Sequence, residues 1–176
     1  MVYYQDESVL IRAMEDDDIP LAVEGFRLQG WNKPAGLFAS YLSQQRVGKR
    51  LVFAAFFAES FAGFVTLKKT AETGPFAGKG IPEISDFNVL MKFQRQGIGS
   101  LLMDAAEREA SAITGTVSLG AGLHAGYGTA QRMYVKRGYI PDGTGVWYMD
   151  HPLMPYAECS NDDDLVLYLS KKLTTT

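Results

Sequence analysis

The residues best suited to chemistry in this chain form a short glycine-containing loop, residues 94–100. A strand-like segment, Glu83–Val89, precedes the loop, and residues 101–110 follow it with the apolar spacing of a helix. Gly97 and Gly99 carry no Cβ atom that would block a ligand. The first N–H groups of a helix have no partner inside it, and the helix dipole adds positive charge there. The sequence therefore predicts an anion-binding loop.

Two known nucleotide-binding motifs do not match this sequence. A dinucleotide fingerprint needs a third glycine or an alanine after the loop, and Leu102 stands at that position. The other glycine-rich segment, residues 74–80, lacks the four-residue spacing and the final Ser or Thr of a P-loop. Both of these nucleotide-binding interpretations are therefore excluded.

A second motif, which lies downstream of the loop, narrows the range of candidate protein families. The loop has the pattern Gln/Arg-x-x-Gly-x-Gly/Ala, and residues 130–139 follow the pattern Ala-x-x-Leu-Tyr-x-Lys-x-Gly-Phe, with Met133 in place of leucine and Tyr139 in place of phenylalanine. Apolar Phe87 and Val89 precede the loop. These motifs, in this order, resemble the GCN5-related N-acetyltransferase (GNAT) superfamily over roughly the whole chain.

The resemblance implies a fold and an activity. The fold is α/β (α+β), with a mixed, mostly antiparallel sheet of about seven strands and about four helices, in one N-acetyltransferase domain over residues 1–176. The activity is acetyl transfer from acetyl-CoA to a primary amine by direct attack in a ternary complex, since no suitably placed cysteine indicates an acyl-enzyme. A non-catalytic CoA sensor, a longer acyl chain and a hydroxyl acceptor stay open as alternatives.

The resemblance also implies which residues hold acetyl-CoA. Amides of the loop contact the pyrophosphate, and the pantetheine arm pairs with the strand edge just before the loop, as an added strand would. Tyr127 stands where many members have an asparagine that contacts pantetheine, and Lys92 adds charge near the phosphates. The predicted cofactor-binding residues are Val89, Leu90, Met91, Gln94, Arg95, Gln96, Gly97, Ile98, Gly99, Ser100, Tyr127 and Lys136.

The resemblance places two groups at the chemistry. Tyr134 stands where the family's tyrosine protonates the CoA sulfur, although a buried core tyrosine is the alternative. Glu83 is the candidate base through water, and alternation predicts that it shares a face with Ser85, Phe87 and Val89 while Asp86 faces the other way. A merely structural Glu83 stays open, and His124 is a rival base with a suitable unperturbed pKa.

Composition limits the partners. A net charge of −3 argues against a broad nucleic-acid surface, and the apolar run at residues 51–58 is too short to cross a bilayer. The single cysteine, Cys159, fits a reducing, cytoplasmic location. Scattered His and Cys residues disfavour a metal site, and the acidic residues 161–164 are predicted to form a solvated bend. The expected partner is a small-molecule or peptide amine, with a homodimer possible and the acceptor unidentified.

The elements that must position these groups follow from periodicity and from turn residues. Residues 70–82 form a long loop, and the strands at residues 51–58 and 61–68 form a hairpin around Glu59 and Ser60. Helices are predicted at residues 19–28, from Pro34 to an end near the basic residues 46, 49 and 50, at 99–110 and at 129–137. Further strands are predicted at 9–14, 83–89, 116–119, 146–149 and 165–169. The acceptor pocket is expected from the first two helices and the long loop, with Trp31, Phe38, Tyr41 and Phe76 as lining or as core.

Overall fold

The computed structural model describes residues 1–174, which contain nine strands and four α-helices. The strands are β1 (Val2–Gln5), β2 (Val9–Ala13), β3 (Arg50–Phe57), β4 (Ser60–Lys68), β5 (Glu83–Val89), β6 (Thr116–Gly122), β7 (Ile140–Tyr148), β8 (His151–Pro152) and β9 (Leu165–Lys172). The helices are α1 (Ile19–Leu28), α2 (Ala35–Arg46), α3 (Ile98–Ser111) and α4 (Gly128–Lys136). The mixed α/β fold is confirmed.

Two strands were not predicted, which raises the number from about seven to nine. β1 and β8 are only four and two residues long, and each pairs antiparallel with its neighbour in sequence, β2 or β7. Strands this short leave too little alternation in a sequence to be recognised.

The chain divides into two compact units, which are described separately. The first comprises Met1–Lys69 and Ile84–Glu109, and the second comprises Thr70–Glu83 and the chain from Ala110 onward. The assignment of the whole chain to one domain stays a prediction. Within residues 1–174, no helix has the length and apolar character needed to span a bilayer.

The first unit is built on the strand order β1-β2-β3-β4-β5. β3 and β4 form the predicted hairpin, whose turn residues Ala58 and Glu59 have φ of 44° and 66°, as a tight hairpin turn requires. α1 and α2 cover one side of it with an aromatic core in which Phe26, Phe38 and Phe64 are fully buried. This core explains the abundance of phenylalanine in the strands.

β5 contains a distortion at Asp86, whose φ of 46° lies in the left-handed region. The Ser85 hydroxyl lies 3.2 Å from Arg50 Nη1, and the Asp86 carboxylate accepts a hydrogen bond from the Tyr41 hydroxyl at 3.0 Å. The Arg50 guanidinium lies 4.5 Å from the centre of the Tyr41 ring, so these partners are neighbours. Ser85 and Asp86 therefore point to the same side of the sheet, as happens at a β-bulge.

Beyond the bulge the alternation is reversed. Phe87 and Val89 both pack toward Gly99 of α3, on the side opposite to Ser85. The prediction that Glu83 and Ser85 share a face with Phe87 and Val89 is therefore wrong, because the left-handed residue Asp86 shifts the phase of the strand by one residue.

The second unit has the strand order β6-β9-β7-β8 with antiparallel pairing. β6 continues three residues beyond its predicted end, to Gly122. β7 begins six residues before its predicted start, at Ile140. Gly143 and Gly145 have φ of 90° and 84°, and the pairing register shifts between Pro141 and Val146. This irregular first half concealed the start of β7 in the sequence.

Candidate active site

The entrance to α3 has the backbone shape that the glycine motif predicts. After β5 the chain makes a 3-10 turn, Met91–Phe93, and α3 begins at Ile98. Gly97 has φ of 82°, which a residue with a Cβ atom rarely adopts, and no atom lies within 4 Å of the place where that Cβ would stand. The first helical hydrogen bond runs from the Leu101 N–H to the Gly97 carbonyl at 3.1 Å. The N–H groups of residues 98–100 therefore have no acceptor inside the helix.

Gly99 serves a different purpose from Gly97. A Cβ atom at Gly99 would lie 3.2 Å from the Phe87 ring and 3.6 Å from a Val89 methyl. Glycine at this position lets α3 pack closely on β5. The loop is thereby fixed to the strand that precedes it.

Side chains around the loop are open to solvent, apart from Ile98, which is fully buried and offers only its backbone. Arg95 has φ of 62°, a left-handed conformation that costs a non-glycine residue roughly 1 kcal/mol. The Gln96 amide donates to the Lys92 carbonyl at 3.3 Å and braces the loop from within. The loop thus presents backbone N–H groups that have no acceptor inside the helix, a left-handed arginine and exposed polar side chains, which are features that anion-binding loops share.

The strand edge before the loop is partly occupied by the chain itself. The Gln94 amide donates to the Val89 carbonyl at 3.1 Å, and the Met91 N–H donates to Gln29 Oε1 at 2.9 Å. Leu90 is buried, and its N–H donates to the Ala62 carbonyl at 2.9 Å. Of the three predicted pantetheine contacts, Leu90 is therefore the least available.

Tyr134 lies on α4 with only 6% of its surface exposed. Its ring packs edge-on against the Tyr139 ring, with the centroids 5.9 Å apart. Among the described residues, no hydrogen-bond partner is found for its hydroxyl. Burial, followed by the nearby Tyr127, raises the pKa of Tyr134. The phenol is therefore protonated at neutral pH and keeps a proton to donate.

The turn that precedes α4 is held together by its own side chains. The Tyr127 hydroxyl and His124 Nε2 both contact Asp163 Oδ1, at 3.0 and 2.9 Å. His124 Nδ1 accepts from the Gly126 N–H at 3.0 Å, which leaves the proton on Nε2. A Cβ atom at Gly122 would lie 2.4 Å from the Tyr127 ring. Both nitrogens of His124 are thus engaged, and the Tyr127 hydroxyl already has an acceptor.

Glu83 is 7% exposed at the start of β5. The preceding Pro82 is fixed because its carbonyl accepts from both the N–H and the hydroxyl of Ser118, at 2.9 and 3.0 Å. Glu83 lies near Tyr168, whose pKa is raised mainly by burial, with a smaller contribution from the Glu83 charge. A buried carboxylate on a fixed backbone is suited to holding or accepting a proton.

The aromatic residues predicted to line the acceptor pocket separate into two groups. Phe38 is fully buried among α1, α2 and β4, and Phe76 packs on Tyr168, so these two belong to the core. Trp31 is 40% exposed and is therefore open to a ligand. Tyr41 packs partly buried against the same core as Phe38, and its hydroxyl donates to Asp86.

Two polar residues near the predicted acceptor region, Lys33 and Asp86, were not predicted as site residues. Lys33 and Asp86 form an ion pair of 2.7 Å, although 53 positions separate them in the chain. A carboxylate in the middle of a strand pattern was the available signal, because aspartate is disfavoured in strands. Nothing in the sequence pointed to Lys33.

Comparison with known proteins decides the family. The model of the acetyltransferase (GNAT) family matches residues 14–139, well over half of the chain. The chain belongs to the acetyltransferase (GNAT) family. It is therefore an acyltransferase with acetyl-CoA as donor, as predicted. None of the curated proteins matches the chain.

Solved structures of similar fold support the GNAT assignment. One is an acetyl transferase from Salmonella typhimurium that modifies the N-terminal serine of ribosomal protein L7/L12, with a TM-score of 0.74, 10% identity, and coverage of 99% of this chain and 100% of that chain. Another is the ribosomal-protein-S18-alanine N-acetyltransferase from Escherichia coli, with a TM-score of 0.66, 16% identity and 96% coverage of both chains.

A third structure of this fold is the PaiA N-acetyltransferase from Thermoplasma acidophilum in complex with coenzyme A. Its TM-score is 0.65 at 17% identity, with coverage of 94% of this chain and 99% of that chain. At these low sequence identities, the three similar structures establish the fold of this chain and nothing further.

The residues at the entrance to α3 fit this donor. Open space beside Gly97, free first-turn N–H groups and the exposed Arg95 match the needs of a pyrophosphate. Lys136, on the last turn of α4, is exposed. Within residues 1–174, no group of three His, Cys, Asp or Glu side chains is arranged to hold a metal ion.

Proposed function

We propose that this GNAT protein transfers an acetyl group from acetyl-CoA to a primary amine by direct attack. The observation that carries the proposal is the entrance to α3, where Gly97 leaves open space beside N–H groups that have no acceptor in the helix. Membership of the family identifies acetyl-CoA as the donor. The N–H groups of this loop are suited to binding its phosphates.

In the proposed step the amine nitrogen forms a bond to the acetyl carbon and the carbon–sulfur bond breaks. The acceptor ammonium first loses a proton, which Glu83 takes through water. The departing thiolate receives a proton from the Tyr134 hydroxyl. The attacking nitrogen loses its second proton as the amide forms, and this proton passes through water to the Tyr134 phenolate and restores the phenol. The raised pKa of Tyr134 supports this role, because the hydroxyl is protonated whenever the sulfur leaves.

Glu83 is preferred to His124 as the base because of how His124 is bonded. Its Nδ1 lone pair accepts from the Gly126 N–H, and its Nε2 faces Asp163, so it acts as a cap for the turn before α4. A proton taken by His124 would break the bond from Gly126.

The acceptor is a small molecule or a peptide. Two proteins of similar fold modify ribosomal proteins, one of them at an N-terminal serine, which supports a peptide amine as one class. A reducing, cytoplasmic location is proposed because Cys159 is exposed and is the only cysteine of the chain. A homodimer is compatible with all of this and stays a prediction.

A thiol-release assay with acetyl-CoA and a panel of polyamines, aminoglycosides, amino acids and peptides tests the proposal. We expect binding of acetyl-CoA by calorimetry and thiol release with at least one primary amine. Binding without thiol release from any amine would instead support a sensor. Thiol release only with alcohols would indicate a hydroxyl acceptor, and release only from longer acyl-CoA donors would indicate transfer of a longer acyl chain.

A pH–rate profile tests the assignment of the base. We expect Glu83→Gln to remove the acidic limb of kcat/KM and to lower the rate by about 100-fold, within the usual range for a general base. His124→Gln should retain the wild-type profile and lose some thermal stability, because the cap on Gly126 is lost. The opposite pattern would make His124 the base.

A further inference from the structure

The Lys33 ammonium contacts a carboxylate and two aromatic rings of the first unit, which is the composition of an ammonium-binding site. Its Nζ is 2.7 Å from Asp86 Oδ1, and it faces the rings of Phe26 and Phe64, with 5.6 and 5.5 Å to their centres. Both rings are fully buried, whereas the Lys33 side chain is 18% exposed. Carboxylates and aromatic faces are the groups with which proteins recognise organic cations.

Asp86 is held in place by neutral donors as well as by Lys33. Asn88 Nδ2 donates to Oδ1 at 2.8 Å, and the Tyr41 hydroxyl donates to Oδ2 at 3.0 Å. Burial and the Asp86 charge raise the pKa of Tyr41, so this hydroxyl stays a donor. A carboxylate fixed by two neutral donors keeps its negative charge available for a cation.

The backbone of Asp86 is strained to present this carboxylate. Its φ of 46° in the middle of β5 is a left-handed conformation that non-glycine residues rarely adopt. Strain of this kind persists where the surrounding structure enforces it, often next to functional sites. Here the bulge turns the Asp86 side chain toward Lys33 and Tyr41.

The Lys33 ammonium has few partners in the structure. Among the described residues, Asp86 is the only hydrogen-bond acceptor of its ammonium, which has three N–H groups. Lys33 lies outside helix and strand, between α1 and α2, and is preceded by Gly30 with φ of 80°. Another ammonium can make the same contacts once this side chain swings out to solvent.

We propose that a pocket formed by Asp86, Phe26, Phe64, Tyr41 and Asn88 binds the ammonium of the acceptor, an unbranched primary alkylamine, and that Lys33 fills it in the free protein. This inference rests on the proposed acetyl transfer. The Lys33 side chain is itself an unbranched alkylammonium, so the pocket accommodates that shape.

The position of the pocket along β5 supports an acceptor role. The loop that we assign to the phosphates follows β5, and the pantetheine arm is proposed to pair with Val89, so its reactive end points back along the strand. Asp86 lies three residues before Val89, about 10 Å along a strand. The ammonium pocket is therefore on the strand that receives the arm, upstream of it.

Three variants of the full chain test the proposal: Lys33→Ala, the double variant Lys33→Ala with Asp86→Asn, and the control Arg27→Ala. Arg27 forms an exposed ion pair of 2.7 Å with Glu24, so the control also removes one basic partner of an ion pair. Binding of n-butylammonium is measured by calorimetry without acetyl-CoA, and acetylation of n-butylamine is measured by thiol release and by mass of the product.

We expect Lys33→Ala to bind n-butylammonium at least tenfold more tightly than the wild type, and to lower KM for n-butylamine at least tenfold with kcat within about twofold. The double variant should lose both gains, and Arg27→Ala should match the wild type. If Lys33→Ala does not fold, the single variant Tyr41→Phe tests the proposal instead. We then expect KM for n-butylamine to rise about threefold while kcat stays constant.

Several results would overturn the inference. If Lys33→Ala binds n-butylammonium but acetylates n-butylamine no faster than the wild type, the ion pair of Lys33 and Asp86 has only a structural role. If the double variant retains the tighter binding, Asp86 does not recognise the cation. If Tyr41→Phe leaves KM unchanged when Lys33→Ala does not fold, the pocket does not bind the acceptor. If no variant binds acetyl-CoA, the proposed function fails, and the acceptor role fails with it.

Discussion

The two glycine-rich helix entrances of this chain look alike in sequence but differ in structure. The entrance to α3 leaves open space beside Gly97, and the first N–H groups of the helix have no acceptor within it. At the entrance to α4, the Tyr127 ring fills the space beside Gly122, and the His124 ring lies 2.6 Å from where a Cβ of Gly126 would stand. The first entrance is open to a ligand. At the second, the protein's own side chains fill the turn that precedes α4, although Gly128, the first residue of the helix, has open space beside it.

This difference shows that glycine residues in similar sequence contexts can have different structural roles. At Gly97 the absence of a side chain permits a left-handed backbone beside empty space, and at Gly122 it makes room for an aromatic ring. An anion needs the former, because only there can it approach the backbone. Glycine content alone therefore does not locate the phosphate site.

The largest expected effect comes from Gly97→Val. A β-branched residue at φ of 82° is strongly disfavoured, so the loop changes shape and loses its amide geometry. We expect acetyl-CoA to bind about 100-fold more weakly by calorimetry, a loss of about 2.7 kcal/mol.

Gly122→Ala is the matched variant at the other entrance. Its Cβ would lie 2.4 Å from the Tyr127 ring, so we expect a stability loss of about 1–3 kcal/mol in thermal or urea unfolding. Its Kd for acetyl-CoA should stay within about threefold of the wild type. If the two variants exchanged these effects, the comparison between the entrances would be wrong.

Tyr134→Phe is expected to lower kcat about 30-fold, within the range of acid catalysis, with the Kd for acetyl-CoA unchanged. Since no partner for this hydroxyl is found among the described residues, stability should change by less than about 0.5 kcal/mol. Because burial raises the Tyr134 pKa, the variant should retain the wild-type shape of the kcat profile between about pH 6 and 9. Unchanged kcat would remove Tyr134 from the mechanism.

Tyr127→Phe tests whether this residue replaces the family's asparagine. Its hydroxyl already donates to Asp163, so we expect a stability loss of about 1 kcal/mol from the lost hydrogen bond and less than a threefold change in the Kd for acetyl-CoA. A tenfold weaker Kd at unchanged stability would show that the hydroxyl contacts pantetheine instead.

A small, salt-dependent effect is expected at Arg95. Arg95→Gly should raise stability by roughly 1 kcal/mol, because glycine adopts φ of 62° without strain. Both Arg95→Gly and Arg95→Asn remove a charge, and each should weaken acetyl-CoA binding about threefold at low salt, with little effect at 0.5 M salt. Equal affinity of variants and wild type at low salt would exclude Arg95 as a phosphate contact.

The sequence predicted those parts of the fold that depend on local pattern. The bounds of α1 and β5 agree with their predicted ranges, because proline at the start of the helix and regular spacing mark them. The open loop at Gly97 was likewise local, since one glycine and the following helix determine it.

Features that depend on distant residues could not be predicted. The bond between Tyr127 and Asp163 joins positions 36 apart, and the pair of Lys33 and Asp86 joins positions 53 apart. The bulge at Asp86 brings its side chain to Lys33 and Tyr41, which are distant in sequence, and it reversed the predicted alternation of the strand.

Backbone amide NMR with coenzyme A tests the central claim most directly. Titration of the labelled protein should shift the amide resonances of residues 97–100 most strongly, because these N–H groups gain phosphate oxygens as acceptors. The Gly126 amide, already bonded to His124, should move much less. Saturating coenzyme A that left residues 97–100 unchanged would contradict the account.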